Sequence, residues 1–317
     1  MIVKQVLKHL SPAGRDGKLS IFIFHRVLDR PDPLFPGEPD RACFDQMMGW
    51  ISGWFNVLAL DDAVEQLKTG QLPARAAAIT FDDGYADNWL NAVPILKKHR
   101  LTATFFIATG YLDGGRMWND TVIESIRNTR VECINLDWLD LGVVPLETVE
   151  NRRAAVHCVI PAIKHLETAA RMAAVDRIHD QCKAGVASDL MLTTDQLKQL
   201  SASGMGVGAH TVTHPILARL SLSDAKAEMS DSRDQLEAIL GQRVGLFAYP
   251  NGKLSQDYTR EHADLARQLG FDAAVSTNFG ASGTVDDVFQ LRRFTPWDRT
   301  RARFAARLCL NLKQRYA

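Results

Sequence analysis

The sequence predicts an α/β fold built from βα units around a parallel sheet. Short apolar runs alternate along the chain with longer amphipathic stretches, which is the pattern of parallel strands connected by helices. A hydrophobic fraction of 46% in 317 residues is enough for a sizeable core. Polar residues recur at the ends of the apolar runs, where parallel βα folds place their functional side chains.

Eight apolar runs have the length and composition of buried strands, at 19–25, 55–58, 76–82, 103–108, 205–210, 244–249, 272–276 and 289–293. Seven intervals between or after them predict helices, at 42–53, 61–69, 87–99, 194–202, 222–240, 255–269 and 300–315. Two of these helices have clear start signals, Ser223-Asp224 and Thr193-Thr194-Asp195, because short polar side chains cap the first backbone N–H groups.

One interval departs from this alternation. Between Gly110 and Ala187 no βα unit is evident, although residues 147–183 are rich in helix formers. We therefore expect a single domain over residues 1–317, with a helical insertion at about 111–187 on a strand-to-helix loop and a C-terminal helix at about 300–315. Trp118, near the start of the insertion, either walls a cleft or only packs the insertion onto the body of the domain.

The charge balance and the cysteines exclude several classes of protein. Lys plus Arg equals Asp plus Glu at 37 each, so no net field favours nucleic acid or an anionic membrane. The five cysteines form no C-x-x-C pair, which argues against a disulfide framework and against a cysteine zinc site. The first residues also lack a signal-peptide pattern, and together with reduced thiols this favours a cytoplasmic location.

The first ten residues predict a short amphipathic helix. Its apolar face consists of Ile2, Val3, Val6, Leu7 and Leu10. Packing on its own domain is the favoured interpretation, and association with a membrane interface is the alternative. No stretch of the sequence approaches the roughly 20 apolar residues that span a bilayer.

Two histidines four residues apart, His210 and His214 in H-T-V-T-H-P, follow a predicted strand. This spacing presents two imidazoles to one metal from a helical turn or a tight loop, although exposed loop histidines also explain it. Asp83, after another strand, would complete a set with open coordination positions. Such a set favours zinc and also accepts cobalt or nickel. The adjacent Asp82 would then remain free to take a proton from water.

These motifs resemble those of the NodB-like polysaccharide deacetylases, carbohydrate esterase family four. The residues that carry the resemblance are T-F-D-D-G at 80–84, H-T-V-T-H at 210–214 and F-A-Y-P-N-G at 247–252. The resemblance implies a distorted (β/α) barrel of about seven strands. It also implies that the substrate is an N-acetylated carbohydrate, in a polysaccharide, an oligosaccharide or a lipid-linked precursor. By the same resemblance Asp83, His210 and His214 would bind the metal, and Asp82 would be the general base.

The third motif departs from the family pattern. Family members often carry an arginine two residues before the proline, where it holds the base, and Ala248 occupies that place here. Arg292 or Arg293, at a later strand end, would have to replace it. A backbone N–H near Tyr249, together with the metal, would stabilise the tetrahedral oxyanion.

The family's late histidine, its usual general acid, has no counterpart, because no histidine follows residue 262. His25, at the end of the first strand, is the best candidate for the acid, and a role in lining the substrate or bonding the backbone is the alternative. Trp297 in P-W-D would correspond to the tryptophan that lines the acetyl pocket. Two other functions stay open: hydrolysis of another C–N bond, such as a formamide or cyclic amide, and carbohydrate binding without turnover.

Overall fold

The computed structural model describes residues 2–185 and 187–313. The strands of its main sheet are β1 (Ser20–Phe24), β2 (Asn56–Val57), β3 (Ala76–Phe81), β4 (Thr104–Ile107), β7 (Gly206–Ala209), β8 (Leu246–Ala248), β9 (Ala273–Phe279) and β10 (Leu291–Phe294). Two further short strands, β5 (Cys133–Asn135) and β6 (Val143–Pro145), form a separate hairpin.

Seven of these strands close into a parallel barrel. Their order is β1-β10-β9-β8-β7-β4-β3, and β3 pairs with β1 to complete the ring. The short β2 lies against the first residues of β3. The expectation of a distorted (β/α) barrel of about seven strands is therefore confirmed.

The described helices cover the outside of the barrel and build the insertion. They are α1 (Ile2–Leu10), α2 (Arg41–Trp54), α3 (Leu60–Lys68), α4 (Val93–Lys98), α5 (Trp118–Asn128), α6 (Val149–Lys164), α7 (Thr168–Cys182), α8 (Thr194–Ala202), α9 (Leu222–Leu240), α10 (Arg260–Gln268) and α11 (Arg301–Lys313). The side chains of Asp40 and Ser221 accept N–H groups of the first turns of α2 and α9, as short polar residues do at helix starts.

Two predicted helix bounds were wrong. The segment predicted as one helix at 87–99 begins with a π-helical turn, Asn88–Ala92, before α4. The helix predicted at 255–269 starts at Arg260, because Thr259 and His262 form a reciprocal cap there. The predicted C-terminal helix corresponds to α11, and its last residues, 314 and 315, lie outside the described residues.

Alternate strand residues point into the barrel and pack with one another. Ile21, Ala78, Phe106 and Ala248 belong to one buried cluster, which α3 also joins. The intervening residues face the helices and include the stacked rings of Phe81 and Phe105, 4.7 Å apart. Small residues such as Ala78 and Ala248 leave space inside the barrel for polar side chains near its carboxyl end.

The insertion is helical but also contains the antiparallel hairpin of β5 and β6, which the sequence did not predict. Its helices α5, α6 and α7 pack around their own apolar cluster, with Val122, Val159, Ile178 and Cys182 at its centre. Residue 186, within the predicted insertion, lies outside the described residues.

The first helix packs onto the domain. Leu7 of α1 is fully buried, and Val3 and Leu10 contact the main core. Ile2 and Val6 remain exposed on the same helix. No helix in the described part of the chain is both long and apolar enough to cross a membrane.

Candidate active site

Polar side chains gather at the carboxyl ends of the barrel strands. His25 follows β1, Asp82 and Asp83 follow β3, and His210 follows β7. Because the strands are parallel, their ends open on the same side of the barrel. The barrel thus brings together side chains that lie far apart in the sequence.

Asp83, His210 and His214 form a compact cluster. One ligand atom from each lies within 4.8 Å of the others. The Oδ1 atom of Asp83 is 3.5 Å from Nε2 of both histidines. Two imidazole nitrogens and one carboxylate oxygen are a donor set that holds a divalent ion and leaves positions open for water and substrate.

The tautomer of His210 is set by the backbone. Its Nδ1 atom lies 2.7 Å from the carbonyl oxygen of Ala248. A carbonyl accepts hydrogen bonds and cannot donate them, so Nδ1 carries a proton, and Nε2 is the ring nitrogen on the side of Asp83 where a proton or a metal ion can bind. This is the arrangement of a histidine oriented for metal binding.

The surroundings of Asp83, His210 and His214 shift the pKa values of all three side chains. Burial alone would raise the pKa of Asp83, but the neighbouring histidines hold it below its usual range. Burial lowers the pKa of His214 to about 4, so this imidazole is neutral at neutral pH. Burial also opposes charge on His210, yet its hydrogen bond with Asp83 raises the pKa overall. A proton and a metal ion therefore compete for His210.

The backbone at the cluster is strained. Asp83 has a φ of 78°, Thr211 of 65° and His214 of 53°, in a region that L-residues rarely adopt. Gly84, with a φ of 89°, packs against Ile107, whose side chain would lie 3.3 Å from an added Cβ. Such conformations cost about 1–3 kcal/mol each and persist where the surroundings enforce them, typically at functional sites.

The segment H-T-V-T-H is a tight loop, the second of the two arrangements that its spacing allowed. The Thr211 hydroxyl accepts the N–H of His214 at 3.1 Å. The Glu228 carboxylate on α9 accepts the N–H groups of Val212 and Thr213 at 2.8 and 2.9 Å. Glu228, which the sequence did not single out, thus holds the loop that carries His214.

Asp82 is held by Arg293 inside the barrel. The guanidinium donates from Nη1 to Oδ1 and from Nη2 to Oδ2, both at 2.7 Å, and its Nε donates to the carbonyl of Ser276 at 2.8 Å. Burial alone would raise the pKa of Asp82, but Arg293 and His210 lower it below its usual value. Asp82 is therefore an ionised, buried carboxylate in a fixed orientation.

The neighbouring arginine does not share this position. Arg292 faces away from Asp82 and donates to Asp286 at 2.7 Å. Successive residues of a strand point to opposite faces, so only one of the two arginines can enter the barrel. Of the two candidates, Arg293 and not Arg292 is the arginine that contacts Asp82.

The N–H of Tyr249 itself is not available as the backbone donor expected near this residue. The Tyr249 N–H donates to the carbonyl of Val275 at 3.2 Å, and its hydroxyl donates to Phe289 at 2.9 Å, so both donors are already used. Asn251, two residues later, has a φ of 58° and lines a cavity with Asp83. Sequence alone could not show which N–H of this segment the strand ladder consumes.

The two predicted tryptophans have different positions. Trp118 lines a cavity of about 160 Å³ together with Asp83 and His214, and it also packs on the core of the insertion. Trp118 thus lines a cavity at the cluster in addition to packing within the insertion. Trp297 is 70% exposed and lines neither cavity that contains Asp83, so its predicted place in an acetyl pocket is corrected.

His25 lies at the mouth of a second cavity. This cavity, of about 270 Å³, is lined by His25, Asp83, Glu38 and Asp120 among others. The His25 side chain is exposed to solvent. Burial raises the pKa of Glu38, and the nearby His25 and Arg26 oppose the shift. Glu38, which the sequence analysis did not consider, is thus a carboxylate beside His25.

A buried polar network supports the wall of this cavity. The Tyr85 hydroxyl donates to both oxygens of Asp120 at 3.1 Å, and Arg26 pairs with Asp87 at 2.8 Å while its guanidinium lies 4.6 Å from the Tyr85 ring centre. Burial raises the pKa of Asp120 to about 7. Tyr85 directly follows D-D-G and Arg26 directly follows His25, which is the signal that could have identified them.

Comparisons with known proteins identify the family of the chain. A polysaccharide deacetylase family profile matches residues 69–274. Putative polysaccharide deacetylase YxkH of Bacillus subtilis (strain 168) is 22% identical over 281 residues, covering 88% of this chain and 71% of that protein. A poly-beta-1,6-N-acetyl-D-glucosamine N-deacetylase of Staphylococcus aureus (strain MSSA476) is 36% identical over 73 residues, which cover 23% of this chain and 25% of that protein.

The fold is also that of a solved deacetylase. The structure of Streptococcus pyogenes deacetylase PplD in complex with acetate is similar with a TM-score of 0.59 and 22% identity, over 88% of this chain and 92% of that one. The family profile spans well over half of the sequence and includes both aspartates and both histidines of the site. The chain therefore belongs to the polysaccharide deacetylase family and is a hydrolase of N-acetyl amide bonds.

Proposed function

We propose that the chain is a zinc-dependent deacetylase that removes N-acetyl groups from an amino sugar in a polysaccharide, oligosaccharide or lipid-linked precursor. One observation carries the proposal: two adjacent carboxylates have different partners. Asp83 lies beside two histidines, and Asp82 is held by Arg293. Metal-assisted amide hydrolysis requires one group to hold the ion and another to take a proton from water.

Zinc fits the three donors. Two imidazoles and one carboxylate are typical of catalytic zinc sites, and cobalt or nickel accept the same set. The Nε2 atom of His210 lies on the side of Asp83, because Nδ1 contacts the carbonyl of Ala248. A divalent ion held by Asp83, His210 and His214 would supply Lewis acidity towards the amide carbonyl and would acidify water.

Asp82 would be the general base. Arg293 takes one lone pair of each carboxylate oxygen, so a second lone pair on each remains to accept the proton of the attacking water. Because the guanidinium fixes both oxygens, the carboxylate keeps its orientation while the proton moves. The lowered pKa of Asp82 keeps it ionised before each turnover.

His25 would protonate the departing amine, and Asn251 would stabilise the oxyanion. His25 is exposed at the mouth and shares a cavity with Asp83. Asn251 lines the cavity that contains Asp83 and His214, and its N–H donates to no other described residue. A preorganised donor of this kind is worth about 3–4 kcal/mol when charge develops on the amide oxygen.

The nature of the substrate is supported by the relatives. The Staphylococcus aureus relative is named for poly-beta-1,6-N-acetyl-D-glucosamine, and PplD was solved with acetate. We therefore assign an N-acetylated hexosamine as the reacting sugar. The aromatic ring of Trp118 beside the cluster provides a flat apolar wall of the kind that sugars pack against.

The test is acetate release from N-acetylglucosamine oligomers of β-1,6 and β-1,4 linkage. Zinc-loaded protein should release acetate, chelator-treated protein should not, and added zinc should restore release. Asp82→Asn should lower turnover by more than about 100-fold because the base is lost.

The same panel should include formamides and cyclic amides, which test for hydrolysis of another C–N bond. Metal retention without turnover on any of these compounds would overturn the proposal and favour a carbohydrate-binding protein. The absence of an arginine at Ala248 favours a binding protein, but the contact of Arg293 with Asp82 weakens this argument.

A further inference from the structure

A cationic groove, defined by Lys164, Arg171 and Arg219, leads outward from the cluster of Asp83 and His214. Its inner part is the cavity of about 160 Å³ that contains Asp83, His214, Lys164 and Arg171. Its outer part is a cavity of about 300 Å³ that shares Lys164 and Arg171 and adds Arg219. The groove therefore begins at the reacting centre and runs between the insertion and the loop after His214.

The cations of the groove have no carboxylate partner within residues 2–185 and 187–313. Arg171 donates from Nη1 to the carbonyl of Lys164 at 3.4 Å, and its buried Nε has no hydrogen-bond partner. Glu167 also lines the outer cavity, but its carboxylate accepts the N–H groups of Ala169 and Ala170 at the start of α7, at 2.9 and 3.4 Å. Because none of the three cations is paired with a carboxylate in the described part of the chain, their charges are available to an anion in the groove.

The orientation of Arg171 is fixed by an aromatic ring. Its guanidinium lies 5.3 Å from the ring centre of Trp118, within the range of a cation–π contact. The same tryptophan lines the cavity that contains Asp83 and His214. A sugar packed on this ring would have its reacting amide on the side of the cluster and Arg171 close by.

We propose that the cationic groove binds a phosphate or pyrophosphate group on C1 of the N-acetylated sugar that reacts. The inference rests on the proposed function. The acetamido group is on C2, next to C1, so an anion on C1 lies beside the amide that faces the cluster. Arginine and lysine are the side chains that bind phosphate oxygens through charge-assisted hydrogen bonds. Nucleotide sugars and polyprenyl-linked sugars both present this glycosyl phosphate.

The test measures binding to Asp82→Asn protein, which lacks the proposed base and so does not consume the ligand. The probes are UDP-N-acetylglucosamine, a polyprenyl pyrophosphate-linked N-acetylglucosamine in detergent, and the neutral methyl glycoside of N-acetylglucosamine. At least one phosphate-bearing probe should bind more than about tenfold more tightly than the neutral glycoside, and high salt should reduce the difference. Whichever of the two phosphate-bearing probes binds more tightly identifies whether the phosphate belongs to a nucleotide sugar or to a polyprenyl-linked sugar.

Variants separate the groove from binding to the metal. The pair Lys164→Met and Arg171→Met should abolish the preference for phosphate. Lys97→Met, which removes an exposed charge at the far end of α4, should retain it. Equal binding of all probes, or a preference that survives in the double variant, overturns the inference.

Acetate release by the unmodified protein reports separately on the proposed reaction. Release from neutral oligomers without any preference for phosphate would overturn this inference and leave the proposed function intact. A preference for phosphate that needs Lys164 and Arg171, without acetate release from any substrate, would support the groove and overturn the proposed reaction.

Discussion

The guanidinium of Arg293 is bound to both oxygens of the Asp82 carboxylate, at 2.7 Å each. Arg293 belongs to β10 and Asp82 directly follows β3, and these two strands are separated in the barrel by β1. In the strand register Arg293 pairs with Ile21, and Ile21 pairs with Ala78. Asp82 comes four residues after Ala78, so the arginine side chain extends towards the carboxyl end of the barrel to meet it. Inside the barrel the same guanidinium lies 5.9 Å from the ring centre of Phe106.

Arg293→Lys should lower kcat while leaving the metal site in place. Lysine keeps the charge but cannot bond both oxygens, and the loss of one charge-assisted hydrogen bond corresponds to about 10- to 100-fold in rate. Because Arg293 lowers the pKa of Asp82, the acidic limb of the pH–rate profile should move to higher pH. The measurement is kcat across pH, with Arg292→Lys as the matched control. An unchanged profile in Arg293→Lys would contradict the role of this contact.

His214→Ala should lose metal, and Asp82→Asn should keep it. His214 contributes one of three donors, whereas Asp82 is bound to Arg293 and not to the histidine cluster. We expect zinc affinity to fall by more than about 100-fold in His214→Ala, since even the loss of supporting contacts costs 10- to 100-fold. Zinc content after dialysis against a weak chelator measures this. Equal zinc content in the two variants would show that the donors have been misassigned.

His25→Gln should impair hydrolysis of amides far more than hydrolysis of an ester with a good leaving group. A departing amine needs a proton, whereas the p-nitrophenolate released from p-nitrophenyl acetate does not. General acids contribute about 10²- to 10⁴-fold, so we expect at least 100-fold on the sugar amide. His25 is exposed, and thermal unfolding should be unchanged. An equal loss on both substrates would instead indicate that His25 only lines the site.

The stability of the Asp120→Asn variant should increase relative to that of the wild-type protein as the pH rises. The pKa of Asp120 is raised from 3.8 to about 7, so the folded state holds the proton more tightly than the unfolded chain. Stability therefore falls with increasing pH across this window, by up to about 1.4 kcal/mol per pH unit. Asparagine removes this slope and still accepts the Tyr85 hydroxyl. The measurement is urea unfolding of chelator-treated protein at about pH 5 and about pH 7.5.

Asp113→Asn is the control for this experiment. Hydrogen bonds from Thr194 lower the pKa of Asp113, so its stabilising contribution is present above its unfolded pKa and is lost as the pH falls. The Asp113→Asn variant should therefore show no gain in unfolding free energy over the wild-type protein at the higher pH. If Asp120→Asn and wild type show the same pH dependence, Asp120 does not titrate in this window.

The strands and their functional ends could be predicted because barrel strands are buried on both faces. Continuous apolar runs that end abruptly in D-D-G or H-T-V-T-H are visible without any knowledge of the partners. The hairpin at Cys133–Asn135 and Val143–Pro145 was not visible, because strands of three residues are too short to show a period.

Contacts between distant strands could not be predicted in the same way. The sequence pattern does not distinguish Arg292 from the adjacent Arg293. The pairing of β10 with β1 determines which of the two side chains faces into the barrel. The N–H of Tyr249 is consumed by the ladder with β9, which depends on register. Lys164 and Arg171 lie on different helices, and their approach to Asp83 depends on how the insertion packs.

The closure of β10 against β1 also has a consequence for the order of events during synthesis. All three proposed metal donors precede residue 215, but the partner of Asp82 emerges from the ribosome nearly 80 residues later. A chain shortened before β10 would therefore keep all three proposed donors, together with Glu228 and Ala248 that hold them, and would lose only the partner of Asp82. We expect such a chain to retain zinc binding without turnover.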